Sequence, residues 1–232
     1  MFFPLKDENP TKSFAYMTVL LIASNCLVFF AMVTVGATMG PQYRNFLVFK
    51  YGAIPFEVTH AVDINPKVAF GPYVTLVTSL FLHGSLWHLI GNMWFLWIFG
   101  NNIEDIVGHF KFLLFYLLGG VAASLLQILL TSGSNIPIVG ASGAVSAILG
   151  AYILKFPLAR IRTLVFIFLF ITVIKVPAVA FIGIWFFFQL FSSLRAHVSN
   201  VAWYAHIGGF LFGLAAITLF QKREGYRKYR VY

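Results

Sequence analysis

Ser142 lies between two glycines in an otherwise apolar stretch. Residues 138–154 have the sequence IVGASGAVSAILGAYIL, in which Gly140 and Gly143 flank Ser142. A second apolar stretch, WYAHIGGFLFG, carries His206. A serine beside a histidine is a nucleophile with its base. These two residue types therefore predict nucleophilic catalysis if the fold brings them together.

Three further polar residues come from one short stretch. The sequence HGSLWHLIGNMWFL holds His83, His88 and Asn92, and the last two have the i, i+4 spacing of one helix face. Polar side chains inside membrane helices are costly and count as functional candidates. Each also has a structural explanation when taken alone. A serine can bond its own helix backbone, a histidine can anchor a helix at the interface, and an asparagine can pack by a hydrogen bond.

The composition is that of an integral membrane protein. Of the 232 residues, 60% are hydrophobic and 10% are charged, whereas a soluble domain has about 25% charged residues. Six apolar segments approach the roughly 17 to 25 residues that cross a bilayer. They lie near 13–36, 84–100, 110–131, 138–154, 177–194 and 201–221. We therefore predict an all-α polytopic membrane protein with six transmembrane helices in a single domain, 1–232.

The basic residues predict the orientation of this domain. The net charge is +9, but Lys and Arg lie at membrane edges and not on one polar face, so no nucleic-acid partner is expected. Short loops rich in Lys and Arg stay in the cytoplasm. With six crossings, most of these residues fall on the side of the termini, which we predict to be cytoplasmic. The opposite side holds Arg44, Lys50, Lys67 and Arg195.

Two regions do not fit the six-helix pattern. Residues 163–174 form an apolar run of only about 12 residues, a length typical of interfacial or re-entrant segments. The alternative is one long helix over 163–194, with Lys175 buried and a kink at Pro177. The outer loop, 37–83, combines prolines with apolar runs, so we expect it to lie partly in the membrane interface.

The polar candidates converge in depth. In this topology the second, fourth and sixth helices all run from outside to inside. A rise of 1.5 Å per residue places Ser142 about 6 Å and His206 about 7.5 Å below the outer edge. His88 and Asn92 begin within a turn of the outer end. Polar residues from three helices thus share the outer third of the membrane, whereas chance placement would scatter them.

Small residues predict how closely the helices approach. Gly209 and Gly213 have GxxxG spacing on the sixth helix, and a stripe of small residues begins at Gly143 on the fourth. Such faces let two transmembrane backbones come close together, although this spacing is usually packing alone. If the two faces meet, Ser142 and His206 lie opposite one another.

Together these residues resemble the rhomboid family of intramembrane serine proteases. Residues 140–143 match the GxSG motif of the family, and residues 205–213 match its AHxxGxxxG motif. His83, His88 and Asn92 match its HxxxxHxxxN pattern. The order, helix assignment and approximate spacing agree, and the resemblance covers nearly the whole chain.

The resemblance implies a role for each of these residues. Ser142 would be the nucleophile and His206 the general base of a dyad, while Asn92 and His88 would form the oxyanion hole with the Ser142 backbone amide. Glu104 matches an acidic residue that is structural in the family. We expect no cofactor and no metal. The residues expected to shape the site are Gly140, Gly143, Gly209, Gly213 and His83.

Two departures from the family pattern stand out. Val74 and Thr75 occupy the positions of a Trp-Arg pair in the outer loop. Ser146 occupies a position where some members have an aromatic residue that stacks on the catalytic histidine. The second departure leaves open how the His206 ring is held.

The expected function is that of an intramembrane serine endopeptidase. It would cleave transmembrane segments of other membrane proteins near the outer leaflet, in a water-holding cavity, with the aromatic fifth helix as a lateral gate. The alternatives are a catalytically silent relative that binds transmembrane clients, and a small transporter, although internal repeats and intramembrane carboxylates, typical of transporters, are not found. The expected partners are transmembrane substrates and the lipid bilayer, and no oligomeric state is predicted. The short N-terminus without a targeting signal favours a prokaryotic plasma membrane.

Overall fold

The computed structural model describes residues 2–64, 71–167, 170–194 and 201–221. Some residues used in the predictions above lie outside this part of the chain. They are Lys67, Arg195, the basic residues of 222–230, and residues 168 and 169 of the short apolar run.

Six helices of 14 to 24 residues correspond to the six apolar segments. They are α1 (Tyr16–Met39), α5 (Leu86–Val107), α6 (His109–Leu130), α7 (Ser142–Lys155), α8 (Ala178–Ser193) and α9 (Trp203–Phe220). By length and composition, α1, α6 and α9 can cross a membrane, whereas α7 and α8 are apolar but shorter. The protein is thus mostly helical with three candidate spans among the described residues.

Short helices occupy much of the outer loop. They are α2 (Pro41–Tyr51), α3 (Pro55–His60), α4 (Thr75–Thr78) and a 3₁₀ turn over Ser79–Phe81. Proline starts both α2 and α3, where its missing N–H costs no helical hydrogen bond. Two prolines of the predicted loop, Pro41 and Pro55, therefore mark helix starts.

Local residues set the ends of α5. The Ser85 hydroxyl accepts a hydrogen bond from the His88 backbone N–H at 3.2 Å, which caps the helix and starts it at Leu86. At the other end Gly108 has a φ of 89°, a conformation that glycine adopts without steric cost. This glycine lets α5 end and α6 begin at the next residue. Helix α5 therefore continues to Val107, beyond the predicted end at residue 100.

The all-α prediction is wrong for residues 2–7, 160–167 and 170–177. Strands β1 (Phe2–Asp7), β2 (Arg160–Ile167) and β3 (Phe170–Pro177) form an antiparallel sheet in the order β1-β2-β3. The alternative of one helix over 163–194 is also wrong. That alternative buried Lys175, whereas its side chain is half-exposed and pairs with Glu8 at 2.9 Å.

Residue types explain why this segment forms strands. Along β2, Ile161, Thr163 and Val165 are buried, while the residues between them face outward. Beta-branched side chains lose rotamer freedom in helices and pack well on a pleated surface. Because residues 164–171 of the sequence are apolar without interruption, the alternation of buried and exposed side chains in the strand is not visible in the hydropathy of the sequence.

The N-terminal strand attaches to the helices along one side of α5. The Trp94 indole N–H donates to the Pro4 carbonyl oxygen at 2.7 Å. Further along, one carboxylate oxygen of Asp7 accepts hydrogen bonds from Asn102 Nδ2 at 2.6 Å and from the Tyr152 hydroxyl at 2.8 Å. Strand β1 thereby links α5 to α7.

Glu104 holds the start of α1 against the end of α5. Its buried carboxylate accepts from the backbone N–H groups of Met17 and Thr18 at 2.9 and 2.7 Å, and from the Thr18 hydroxyl. The first N–H groups of a helix have no partner within it, and an anion is favoured at that end. Asp105 similarly accepts from the Ser13 backbone and hydroxyl.

Asp7→Asn is expected to change how stability depends on pH. Burial raises the pKa of Asp7 to about 6, against hydrogen bonds from Tyr152 and Asn102 that lower it. The folded protein therefore holds this proton more tightly than the unfolded chain, so the stabilising contribution is complete below about pH 4 and is lost as the pH rises through about 6. The loss amounts to about 3 kcal/mol.

Thermal unfolding in detergent from about pH 5 to about pH 7.5 measures this effect. The melting temperature of the wild type should fall relative to that of Asp7→Asn, which keeps an acceptor oxygen without the charge. Glu8→Gln is the control, because Lys175 and Arg162 lower the pKa of Glu8 below its ordinary value of 4.5. Its contribution is lost only at lower pH, so Glu8→Gln should follow the wild-type profile over this range. Parallel pH profiles for the wild type and Asp7→Asn would contradict the role assigned to Asp7.

Candidate functional site

Helices α7 and α9 approach so closely that their backbones are in contact. A methyl group on Gly209 would overlap the carbonyl oxygen of Gly143, and one on Gly213 would overlap that of Ala147. The residue numbers of the contacts increase together along the two helices, so α7 and α9 run parallel. Gly150 belongs to the same interface, since a methyl group there would overlap the Phe210 carbonyl. The structure therefore brings the two small-residue faces together.

Ser142 is the first residue of α7. The predicted start of this helix at residue 138 is wrong, because residues 138–141 form the turn that leads into it. The serine consequently lies at a helix N-terminus, where the first backbone N–H groups have no acceptor within the helix. Such N–H groups favour a bound negative charge.

Gly140 makes room for the ring of His88. Its φ is 124°, and a methyl group there would lie 2.7 Å from Cε1 of His88. A side chain at this position would therefore both strain the backbone and displace the imidazole. Gly143 has a different role, because a methyl group there would lie 2.5 Å from Cβ of Ala123 on α6.

His83 supports the turn before the serine. Its ring is fully buried, and Nε2 accepts a long hydrogen bond of 3.5 Å from the Ala141 backbone N–H. The His83 and His88 rings meet edge to face, with centroids 5.1 Å apart. His83 thus contacts both the turn that precedes Ser142 and the ring of His88.

One cavity of about 1060 Å³ is lined by the four residues predicted to act as nucleophile, base and oxyanion donors. Ser142, His206, His88 and Asn92 all line it. Asn92 is buried, and its amide Nδ2 donates to the His88 carbonyl oxygen at 3.0 Å. This bond uses one of the two amide hydrogens, and the other is left for a group in the cavity.

The His206 ring is held by α8. Its Nδ1 lies 2.8 Å from Oε1 of Gln189. The Trp185 and Trp203 rings contact it at centroid distances of 6.2 and 5.8 Å. Among the described residues no hydrogen bond joins the Ser142 hydroxyl to His206.

Two glutamines of the site were missed from the sequence. Gln189 contacts His206, and Gln127 on α6 accepts a hydrogen bond from the Ala205 backbone N–H at 3.2 Å, which satisfies a donor at the start of α9. Both are buried, and both lie in apolar helices. The rule that marks polar residues in membrane helices as candidates would have found them.

Over residues 2–64, 71–167, 170–194 and 201–221, His, Cys, Asp and Glu form no group of three or more that could hold a metal ion. The donors around the cavity are imidazole, amide and hydroxyl groups. They suit acyl chemistry with hydrogen-bond stabilisation.

Comparison with known proteins decides the family. The rhomboid domain matches residues 71–223, which covers α4 to α9 and every candidate residue of the cavity. The chain belongs to the rhomboid family. This rhomboid is similar to the presenilin-associated rhomboid-like protein, mitochondrial, of Homo sapiens, with 31% identity over 62% of the chain and 37% of the relative.

Two further relatives extend the comparison. The presenilin-associated rhomboid-like protein A, mitochondrial, of Danio rerio is 30% identical over 79% of this chain and 45% of its own length. Rhomboid protein 1, mitochondrial, of Saccharomyces cerevisiae is 31% identical over 61% of this chain and 40% of its own length. This rhomboid therefore spans about two fifths of the length of the curated relatives it matches.

The prediction of a prokaryotic plasma membrane is wrong. The matched relatives from human, zebrafish and yeast are all named as mitochondrial proteins. The prediction depended on the apparent lack of a targeting signal near residue 1, and the part of the relatives that this rhomboid matches carries no such information.

Gly213→Ala is expected to separate α7 from α9 in this rhomboid. The added methyl group overlaps backbone atoms of Ala147 and Ala151, which cannot move aside as a flexible side chain would. Overpacking of this kind destabilises by about 1 to 3 kcal/mol. Unfolding in detergent should show the loss.

Gly183→Ala is the matched control on α8, where a methyl group meets nothing within 4 Å. This change should stabilise the helix by up to about 1 kcal/mol. Equal stability of the two variants would mean that the α7–α9 contact is looser than the structure shows.

Proposed function

We propose that this rhomboid is an intramembrane serine endopeptidase that cleaves transmembrane segments of other proteins. The observation that carries the proposal is the shared cavity, in which Ser142 at the start of α7 and His206 on the adjoining α9 face the same space as Asn92 and His88. A nucleophile, a base and amide donors are the groups that acyl transfer requires. The curated relatives support a rhomboid protein and leave its activity to be tested.

In the proposed reaction the Ser142 hydroxyl oxygen attacks the scissile carbonyl carbon while His206 accepts the hydroxyl proton. The oxyanion is stabilised by Asn92, His88 and the N–H groups at the start of α7. His206 then gives the proton to the leaving amine as the C–N bond breaks, and water hydrolyses the acyl-enzyme in the same way. Loss of one oxyanion donor costs about 3 to 4 kcal/mol in transition-state energy.

The substrate would reach the cavity between α5 and α8. Towards the inner side these helices are joined through Phe181, whose ring centroid is 6.4 Å from those of Phe95 and Phe99. Further out, Gly91 on α5 and Trp185 on α8 line the cavity. The two helices could therefore separate at the outer side while Phe181 keeps them in contact at the inner side. A lateral gate requires this arrangement.

The membrane arrangement belongs to the same proposal. The proposed arrangement has six crossings, both termini on the same side of the membrane and one domain over 1–232. It requires α7 and α9 to cross in the same direction, in agreement with their parallel packing. Transmembrane segments of other proteins would be the substrates, and the bilayer would surround the bundle. The names of the relatives favour a mitochondrial membrane.

A second candidate function is the binding of transmembrane clients without cleavage. It is favoured by one observation, the lack of a hydrogen bond between the Ser142 hydroxyl and His206 in the described part of the chain. Hydrogen bonds of this kind are often long in enzymes without substrate and tighten only in the complex. The endopeptidase is therefore the preferred proposal.

Labelling with a fluorophosphonate probe separates the two functions. The wild type in detergent should be labelled at Ser142, and labelling should vanish in Ser142→Ala and His206→Ala, because the hydroxyl needs its base to react. Ser124→Ala is the control, since this buried serine of α6 lies away from the cavity. An unlabelled, folded wild type would favour client binding.

Asn92→Ala is expected to lower turnover more than substrate binding. The amide stabilises charge that develops only in the transition state, so kcat should fall by about 100-fold or more with little change in KM. The measurement is cleavage of a transmembrane substrate in detergent or vesicles. A rise in KM with unchanged kcat would contradict the oxyanion role.

A further inference from the structure

Gln189 is the one amide side chain in hydrogen-bond contact with the proposed base within the described residues. It lies on α8 and is 7% exposed. Its Oε1 lies 2.8 Å from His206 Nδ1, and its Nε2 donates to the Trp185 carbonyl oxygen at 3.1 Å. Both ends of the amide are thus engaged, one by a ring nitrogen and the other by the helix backbone.

The backbone bond fixes which end of the amide faces the ring. A carbonyl oxygen can only accept, so the atom beside the Trp185 carbonyl must be the NH₂ nitrogen. The amide oxygen therefore faces His206. Since that oxygen can also only accept, Nδ1 of the ring must carry the proton and donate it.

The proton on Nδ1 determines the chemistry of the other ring nitrogen. In a neutral imidazole one nitrogen is a donor and the other an acceptor, so Nε2 is left without a proton. An isolated histidine side chain favours the opposite tautomer, in which Nε2 carries the proton. In that tautomer Nε2 cannot accept a proton from serine. We propose that Gln189 is a positioning residue that holds His206 in the tautomer able to act as a base.

This inference rests on the proposed function and answers how the ring is held without an aromatic side chain at Ser146. That serine bonds its own helix, donating to the Ser142 carbonyl oxygen at 2.6 Å. Trp185 and Trp203 instead contact the ring from α8 and from the start of α9. Gln189 supplies the directional bond that a carboxylate supplies in a serine-histidine-aspartate triad.

The first test is the nitrogen-15 spectrum of the wild-type protein in detergent with labelled histidine. The His206 signals are assigned by their loss in His206→Ala. A proton on Nδ1 at neutral pH is the expected result. A proton on Nε2 would overturn the proposal, and this measurement needs no variant of Gln189 to fold.

The second test compares two substitutions of Gln189 by fluorophosphonate labelling and substrate cleavage. Gln189→Leu removes the acceptor and should lower the labelling rate and kcat with KM nearly unchanged. The expected loss is about 10- to 100-fold, by analogy with partners that orient metal-binding histidines. Gln189→Glu keeps an acceptor oxygen and should restore most of the rate. Equal rates for Gln189→Leu and the wild type would overturn the proposal.

Ser193→Ala is the matched control, one turn further along α8, where the hydroxyl donates to the Leu190 carbonyl oxygen of its own helix. It should label at the wild-type rate, whereas a loss equal to that of Gln189→Leu would mean that any disturbance of α8 has the same effect and would overturn the specific role. The two proposals fail separately. If the wild type is not labelled, the endopeptidase proposal is overturned, and the spectrum still reports the tautomer of His206. If the wild type is labelled but the proton is on Nε2, only the role of Gln189 is overturned.

Discussion

The backbone contact between α7 and α9 is the constraint on which the site depends. Gly209 and Gly213 meet the carbonyl groups of Gly143 and Ala147, and no residue larger than glycine fits at that separation. Ser142 and His206 are one turn or less beyond this contact on the same side. Their shared cavity is therefore a consequence of how the two helices pack, and a change that separates the helices would also move Ser142 away from His206.

Polar groups near the end of α5 join the neighbouring elements to one another. Glu104 binds the first N–H groups of α1, and Asp7 joins β1 to α5 and α7 through Asn102 and Tyr152. Buried carboxylates are costly unless they are hydrogen-bonded, so each fixes the elements around it. The sheet is thus attached near the ends of α5 and α7, while the candidate residues Ser142, His206, His88 and Asn92 lie nearer the starts of α5, α7 and α9.

The sequence predicted the meeting of α7 and α9 better than it predicted the complete fold. Motif spacing and small-residue stripes located Ser142, His206 and their meeting helices, because helical period is readable one helix at a time. The pairing of β1 with β2 was not predictable, since it joins residues more than 150 positions apart and lies in apolar runs. Gln189 could have been marked as a candidate, because it is a polar residue in an apolar helix, but its role depends on a contact between α8 and α9 that the sequence of α8 does not show.

In the proposed mechanism and membrane arrangement, helix α8 links access to the site with the state of the base. Its inner end is fixed, since Ala178 and Val179 donate backbone hydrogen bonds to Ala159 and Pro157. Its outer half exposes large apolar side chains, and Gln189 is in that half. An outward movement of this half would widen the cavity and at the same time stretch the bond from His206 to Gln189. Such a helix cannot admit a substrate by a large displacement and keep the base oriented, so productive opening must be small or must reverse before proton transfer.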